Sequence, residues 1–261
     1  MTDWLDRRLE RARRLADEAG ALAMRLRPPP GAAQGTLKGP RDWLTAADQA
    51  VETLISDRLA SWFPEDGFLG EEAGSTRTGA LTWVVDPIDG TSNYARGAAR
   101  FCISIGLMEG DRPVAGVLVA PALGETFAAR AGGGAFLNGK SIHAAATPSI
   151  DRAMVEAGWS RRTPSPDYIA IIDRLLEAGA MVRSGGSGAL GLADVAAGRL
   201  DGYAELHINL WDVAAGLVVL REAGAFVSDF PADGRAGRSG PILAGAPALG
   251  GQLGRIVGIG G

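Results

Sequence analysis

Trp83-Val84-Val85-Asp86-Pro87-Ile88-Asp89-Gly90-Thr91-Ser92-Asn93-Tyr94 is the stretch on which the reading of this chain turns. An apolar run ends at a carboxylate, a proline follows, and a second carboxylate stands three positions after the first. The run reads as a buried strand bounded by turn signals. Pro87 fixes φ near the turn value and has no N–H, so the strand is expected to stop there. Asp86 and Asp89 would then sit together at the strand mouth, with oxygens able to converge on one point. Gly90 lets the backbone approach a ligand, and the N–H groups after it can face an anion. Asp-Pro and Asp-Gly are also common turn dipeptides, and a plain turn accounts for the stretch taken alone.

The chain around it has 261 residues, 46% of them hydrophobic and 21% charged, enough for a large core in one domain or two closely packed halves. Its 38 glycines, set in so apolar a chain, favour tight turns over disorder. A net charge of −4 gives no electrostatic case for nucleic acid or an anionic membrane as partner. The single cysteine, Cys102, excludes an intrachain disulfide framework, and within Phe101-Cys102-Ile103-Ser104-Ile105 it reads as a buried structural thiol. No apolar signal-peptide core stands near Asp3, and no run reaches the roughly 18 apolar residues of a membrane span. A cytoplasmic protein is expected.

Residues 3–26 carry an apolar stripe at Leu5, Leu9, Ala12, Ala16, Ala19, Leu22, Ala23 and Leu26, a helix ended by Pro28-Pro29-Pro30. A second helix is expected over 45–63, where Thr45-Ala46-Ala47-Asp48 fits a capping box and gives Asp48 a plain structural role. A short strand at Phe68-Leu69 leads to Gly70-Glu71-Glu72, which could form a hairpin with the central strand. Strands are expected at 103–107, 114–120 and 126–129, and a further hairpin at 134–143. Beyond Pro148 strands at 154–157, 180–183, 202–206, 226–228 and 242–243 alternate with helices at 167–179, 188–197 and 211–223. The chain thus reads as an α+β half, 1–147, and an α/β half, 148–261, in one compact unit.

Two glycine motifs compete with the acids for the function. Gly134-Ala135-Phe136-Leu137-Asn138-Gly139-Lys140-Ser141 matches the phosphate-loop pattern, but that loop must open a helix, and Pro148 follows too soon. Asn138-Gly139 between alternating flanks signals a hairpin instead. Gly186-Ser187-Gly188-Ala189-Leu190-Gly191 matches a dinucleotide fingerprint, with Glu205 at a suitable distance, and would make the chain an oxidoreductase. Too little chain follows Gly186 for a whole dinucleotide domain, so this is the remoter alternative. The acids themselves, Glu71, Glu72, Asp86, Asp89 and Asp212, each have a dull explanation as a turn or, for Asp212 before Val213–Leu220, a helix N-cap. His143 and His207 read as hairpin and surface residues.

Taken together, Gly70-Glu71-Glu72, Asp86-Pro87-Ile88-Asp89-Gly90-Thr91-Ser92-Asn93-Tyr94 and Trp211-Asp212-Val213-Ala214-Ala215-Gly216 resemble the three signature blocks of the inositol monophosphatase family of magnesium-dependent, lithium-sensitive phosphatases. The likeness runs from about Lys38 to Asp229. It implies a layered α-β-α-β-α sandwich, of the type shared with fructose-1,6-bisphosphatase, commonly a homodimer. It also implies Glu71, Asp86 and the Ile88 carbonyl as ligands of one metal, and Asp86, Asp89 and Asp212 as ligands of a second. Thr91, with Asp48 behind it, would orient the attacking water, and Gly90 and Thr91 would offer N–H groups to the phosphate. Ser187, Gly188 and Glu205 would face the substrate, while Glu72 and Lys38 would stand behind the ligands. The activity implied is hydrolysis of a small phosphorylated polyol or metabolite with two or three Mg²⁺ ions, Mn²⁺ being an alternative.

Elementary electrostatics points the same way. Unit charges about 4 Å apart repel by roughly 4 kcal/mol at an effective dielectric near 20. Four carboxylates in one cleft would therefore exceed a domain's typical stability of about 5–15 kcal/mol unless cations or protons neutralise them. Oxygen-only ligands select Mg²⁺ or Mn²⁺ over zinc. Gly97-Ala98-Ala99-Arg100-Phe101 and the glycine-rich Ser184–Gly188 turn depart from the family pattern beside the expected substrate pocket. The substrate stays open among an inositol phosphate, histidinol phosphate, fructose-1,6-bisphosphate and a nucleotide 3′-phosphate. A catalytically idle interaction protein on the same fold is the remaining alternative.

Overall fold

Most of the apolar stripe of the first predicted helix is buried: α1 (Asp3–Leu26) packs through Leu5, Ala12, Leu15, Ala16, Ala19 and Ala23, with Leu9 and Leu22 half-buried and Leu26 exposed. The computed structural model describes residues 3–31, 36–39, 42–44, 46–230 and 239–260. After α1 come a two-stranded antiparallel hairpin, β1 (Thr36–Gly39) and β2 (Asp42–Leu44), and helix α2 (Ala46–Trp62). The expected cap at Thr45 lies outside the described residues. An eight-stranded sheet follows: β3 (Gly67–Gly70), β4 (Gly74–Arg77), β5 (Leu81–Asp89), β6 (Cys102–Glu109), β7 (Arg112–Ala120), β8 (Glu125–Arg130), β9 (Ala135–Leu137) and β10 (Lys140–Ser141). The short helix α3 (Thr91–Ala95) separates β5 from β6. The strand order is β10-β9-β8-β7-β6-β5-β3-β4.

Two local expectations are overturned here. β3 does not form a hairpin with β5. It turns back as β4, and the chain then returns so that β5 runs parallel to β3. Pro87 does not end β5, which continues to Asp89. The register against β6 slips between Asp86↔Ser104 and Asp89↔Cys102, so two residues, Pro87 and Ile88, oppose the single Ile103. In such a bulge no ladder donor is required, and the missing proline N–H costs nothing. At 134–143, Asn138 and Gly139 both have positive φ, 49° and 77°, the geometry of a two-residue hairpin turn between β9 and β10.

The second sheet is built from β11 (Met154–Ala157), β12 (Met181–Arg183), β13 (Gly202–Asn209), β14 (Phe226–Val227) and β15 (Ser239–Gly245), in the order β12-β11-β13-β15-β14. β11 runs parallel to β12 and β13, and β15 antiparallel to β13 and β14. The connecting helices are α4 (Ser165–Glu177), α5 (Gly188–Ala196), α6 (Leu210–Glu222) and α7 (Gly250–Val257). α1 and α2 cover one face of the eight-stranded sheet, α5 and α6 fill the space between the sheets, and α4 and α7 cover the far face of the second. The result is the layered α-β-α-β-α sandwich implied by the resemblance. No helix among the described residues is long and apolar enough to cross a membrane.

The middle layer lies unusually close to the first sheet. A Cβ on Gly106 of β6 would stand 2.8 Å from Ala214 Cβ, and one on Gly116 of β7 would stand 2.4 Å from the Ala215 carbonyl oxygen. These glycines let α6 press its first turns onto the sheet beside the end of β5.

Candidate metal centre

The β5 bulge presents Asp86 and Asp89, and α6 presents Asp212 in its first turn. One carboxylate oxygen from each lies within 4.8 Å of the other two. Each acid is held by donors from its own neighbourhood. Ile88 N donates to Asp86 Oδ1 at 2.9 Å. Asp89 accepts from Ser187 Oγ, from Ala189 N at 3.0 Å and from Gly188 N at 3.3 Å. Asp212 Oδ2 accepts from the Asn209 backbone N at 2.9 Å and from Asn209 Nδ2 at 3.1 Å. Asn209 is therefore the N-cap of α6, and Asp212 is its N3 partner in a capping box rather than the N-cap itself.

These contacts decide one of the competing motifs. The N-terminal amides of α5, which a dinucleotide pyrophosphate would need, are turned onto Asp89. The Gly186–Gly191 segment thus supports a carboxylate of the acid cluster.

Burial raises the Asp86 carboxyl well above the usual range, with Glu71, Asp212 and Asp89 adding to it as like charges. Burial also carries Asp89 to about 7, with Asp212 next in weight, and raises Asp212. The three are joined to no lysine or arginine by an ion pair among the described residues; their partners are N–H and O–H groups. Such a set must be neutralised by protons or by a cation. Hard oxygen donors alone, close together, two of them buried and Asp212 half-buried, fit a divalent ion of the Mg²⁺ or Mn²⁺ kind.

The cluster opens into a cavity of about 530 Å³ lined by Glu71, Asp89, Asp212, Ser187, Gly188 and Glu205 among others. Glu71 reaches it because its N–H donates to the Val85 carbonyl at 3.1 Å, fixing the turn after β3 beside β5. The N–H groups of Glu72 and Ala73 donate to the Glu52 carboxylate at 2.9 and 2.7 Å. Glu72 itself is outside the cavity lining. Glu52 escapes sequence reasoning as an ordinary α2 residue. Its counterpart is Gly70, where a Cβ would meet Glu52 Oε2 at 2.4 Å.

The Thr91 hydroxyl stands 3.0 Å from the Ile88 carbonyl and 3.4 Å from the buried Asp48 carboxylate. Gly90 caps α3 at φ 88°, where a Cβ would lie 2.9 Å from the Arg100 carbonyl. Glu205 is buried, accepts from the Tyr203 hydroxyl, and is pushed up to about 8, chiefly by burial. The side chain of Lys38 lies outside the described residues.

Sequence reasoning misses several residues of this wall. Glu156 pairs with Arg100 at 2.7 Å, and Arg100 with Asp194 at 2.8 Å. Trp159, Arg161, Arg162, Tyr203 and Asn209 also line the cavity. The available signals are the Arg161-Arg162 doublet just after a predicted strand and Asn209 three residues before Asp212. His143 is exposed beyond the β9–β10 hairpin. His207 is half-buried, and its Nε2 has no hydrogen-bond partner among the described residues. Cys102 is fully buried, with Sγ against Asp89.

Known proteins resemble this chain in sequence and fold. The profile of the inositol monophosphatase family matches residues 4–257. An inositol-1-monophosphatase of Rhizobium meliloti (strain 1021) is 38% identical over 216 residues, 81% of this chain and 81% of that one. Nus factor SuhB of Xylella fastidiosa (strain Temecula1) is 40% identical over 195 residues, 74% of this chain and 71% of its own length. The solved structure of the Thermotoga maritima IMPase matches with a TM-score of 0.85 at 31% identity, over 96% of each chain. With family profile, relatives and fold in agreement, the chain belongs to the inositol monophosphatase family and is a phosphoric monoester hydrolase.

Proposed function

We propose that the protein is a Mg²⁺-dependent phosphomonoesterase acting on a small phosphorylated polyol or metabolite of the inositol 1-phosphate kind. The convergence of Asp86, Asp89 and Asp212 beside a polar cavity carries this reading. Glu71, Asp86 and the Ile88 carbonyl would hold one ion, and Asp86, Asp89 and Asp212 a second. Bound there, Mg²⁺ or Mn²⁺ would neutralise the carboxylates, acidify the attacking water and shield the leaving oxygen.

The chain's own groups do the rest. Thr91 donates its one hydroxyl proton to the Ile88 carbonyl or to Asp48, and its lone pairs are left to accept from the water and orient it. The N–H groups of Gly90 and Thr91 would take the phosphate. Ser187, Gly188 and Glu205 would face the rest of the substrate. Glu205, whose carboxyl is pushed up chiefly by burial, can donate to a substrate hydroxyl when protonated and accept from one when ionised. Glu72 and Lys38 would support the ligands from behind. Residues 1–147 would thus supply most metal ligands, and residues 148–261 Asp212 and the substrate side. Histidinol phosphate, fructose-1,6-bisphosphate or a nucleotide 3′-phosphate could be cleaved by the same chemistry. We also propose that the protein works as a cytoplasmic homodimer.

A phosphate-release screen over these phosphomonoesters, with and without Mg²⁺, tests the reading. Asp86→Asn and Asp212→Asn should each abolish Mg²⁺-dependent release, and full activity in either variant overturns it.

A further inference from the structure

Asn209 faces two charged groups at once. Its backbone N–H and its Nδ2 both donate to Oδ2 of Asp212, at 2.9 and 3.1 Å. Its Oδ1 accepts from Nη1 of Arg162 at 2.8 Å. A side-chain amide has one accepting end and one donating end. Turning it over would set its oxygen against the Asp212 carboxylate and its NH₂ against the Arg162 guanidinium. The anion and the cation therefore select the same orientation, and both bonds are charge-assisted.

We infer that Arg162 is a positioning residue for the divalent-ion site and acts on Asp212 through Asn209. The inference rests on the reading of Asp212 as a metal ligand. Two donors engage Oδ2, so Oδ1 keeps most of the acceptor capacity that an ion could use. The α6 cap needs only Asn209 and Asp212. What Arg162 adds is a second, charge-assisted hold on the amide orientation that the cap and Asp212 already favour. Arg162 belongs to the loop between β11 and α4, which lines the substrate cavity together with Trp159 and Arg161. One hydrogen bond thus ties the cavity wall to the acid cluster, across nearly fifty residues of sequence.

The test is calorimetric titration of Mg²⁺ into the full chain without substrate. Partners that orient metal ligands typically account for about 10–100-fold in metal affinity. R162M is expected to weaken Mg²⁺ binding by about tenfold, and R162K, which keeps a donor for Oδ1, to recover most of that loss. In an N209A background R162M should add little, because the path to Asp212 is already cut. Wild-type affinity in R162M, or losses from R162M and N209A that simply multiply, would overturn the relay while leaving the metal site standing. If N209A does not melt cooperatively, R162K decides alone: binding as weak as in R162M overturns the relay. Absence of Mg²⁺ binding by the wild-type chain would overturn the metal reading and the relay together.

Discussion

Asp89 stands at the end of β5 and accepts its hydrogen bonds from the start of α5, so a single carboxylate joins the eight-stranded sheet to the helix layer beside it. Burial lifts it to about 7 and lifts Glu205 to about 8. In the unfolded chain both would lose their protons near the ordinary carboxylate value of about 4. Between those limits the folded state holds protons that the unfolded state has released. The stability of the metal-free protein should therefore fall as pH rises from about 5 to above 8, and the contribution should be complete only below about 4. In the proposed metal site a divalent ion would take the place of protons on Asp89. Thermal melts should then show a larger Mg²⁺-induced rise in Tm at pH 8.5 than at pH 6, and titration of Mg²⁺ near neutral pH should release protons. A Tm gain independent of pH would contradict this account. At this scale the acids were legible in the sequence because each sits at a turn or helix start with its own local signature. Glu52 and Tyr203, which hold those acids or their neighbours in place, have no such signature, whereas Asn209 carries one as an N-cap three residues before Asp212.

At the scale of elements, α6 and its approach to the sheet matter most. The apolar run after Asp212 is enough to predict the helix, and alternation is enough to predict β6 and β7. Nothing in a strand glycine says which backbone it must admit. The structure answers for Gly116, whose missing Cβ is where the Ala215 carbonyl stands. Gly116→Ala should destabilise the fold by about 1–3 kcal/mol through overpacking. It should also weaken Mg²⁺ binding by shifting Asp212 with the helix. Urea denaturation and metal titration on the same variant check both effects, and an unchanged urea midpoint would show that α6 can yield at no cost. The β5 bulge teaches a related lesson. A proline forbids a regular ladder, but it does not forbid a strand whose partner leaves it unpaired.

For the whole molecule, the three most exposed of the large apolar side chains among the described residues lie on α4 and β12. Ile169 and Leu176, seven residues apart on α4, are 58% and 55% exposed, and Met181 on the edge strand β12 is 59% exposed. We propose this edge as the contact of the proposed homodimer. Leu176→Glu combined with Met181→Glu should shift the sedimentation profile from dimer to monomer, and a wild-type monomer at micromolar concentration would refute the pairing. The sequence by itself determined most element kinds and positions after residue 100, helix α7 excepted, the hairpin at Asn138-Gly139, and the acids that converge, Asp86, Asp89 and Asp212. Helical and strand periodicity and turn chemistry act over a few residues and are written locally. Only the tertiary structure decided that β3 runs parallel to β5, that β5 passes through Pro87, and that α5 turns its amides onto Asp89. It alone decided that Arg162 reaches Asp212 through Asn209. Each of these depends on which distant segments pack together, and burial and charge balance settle that over the whole chain.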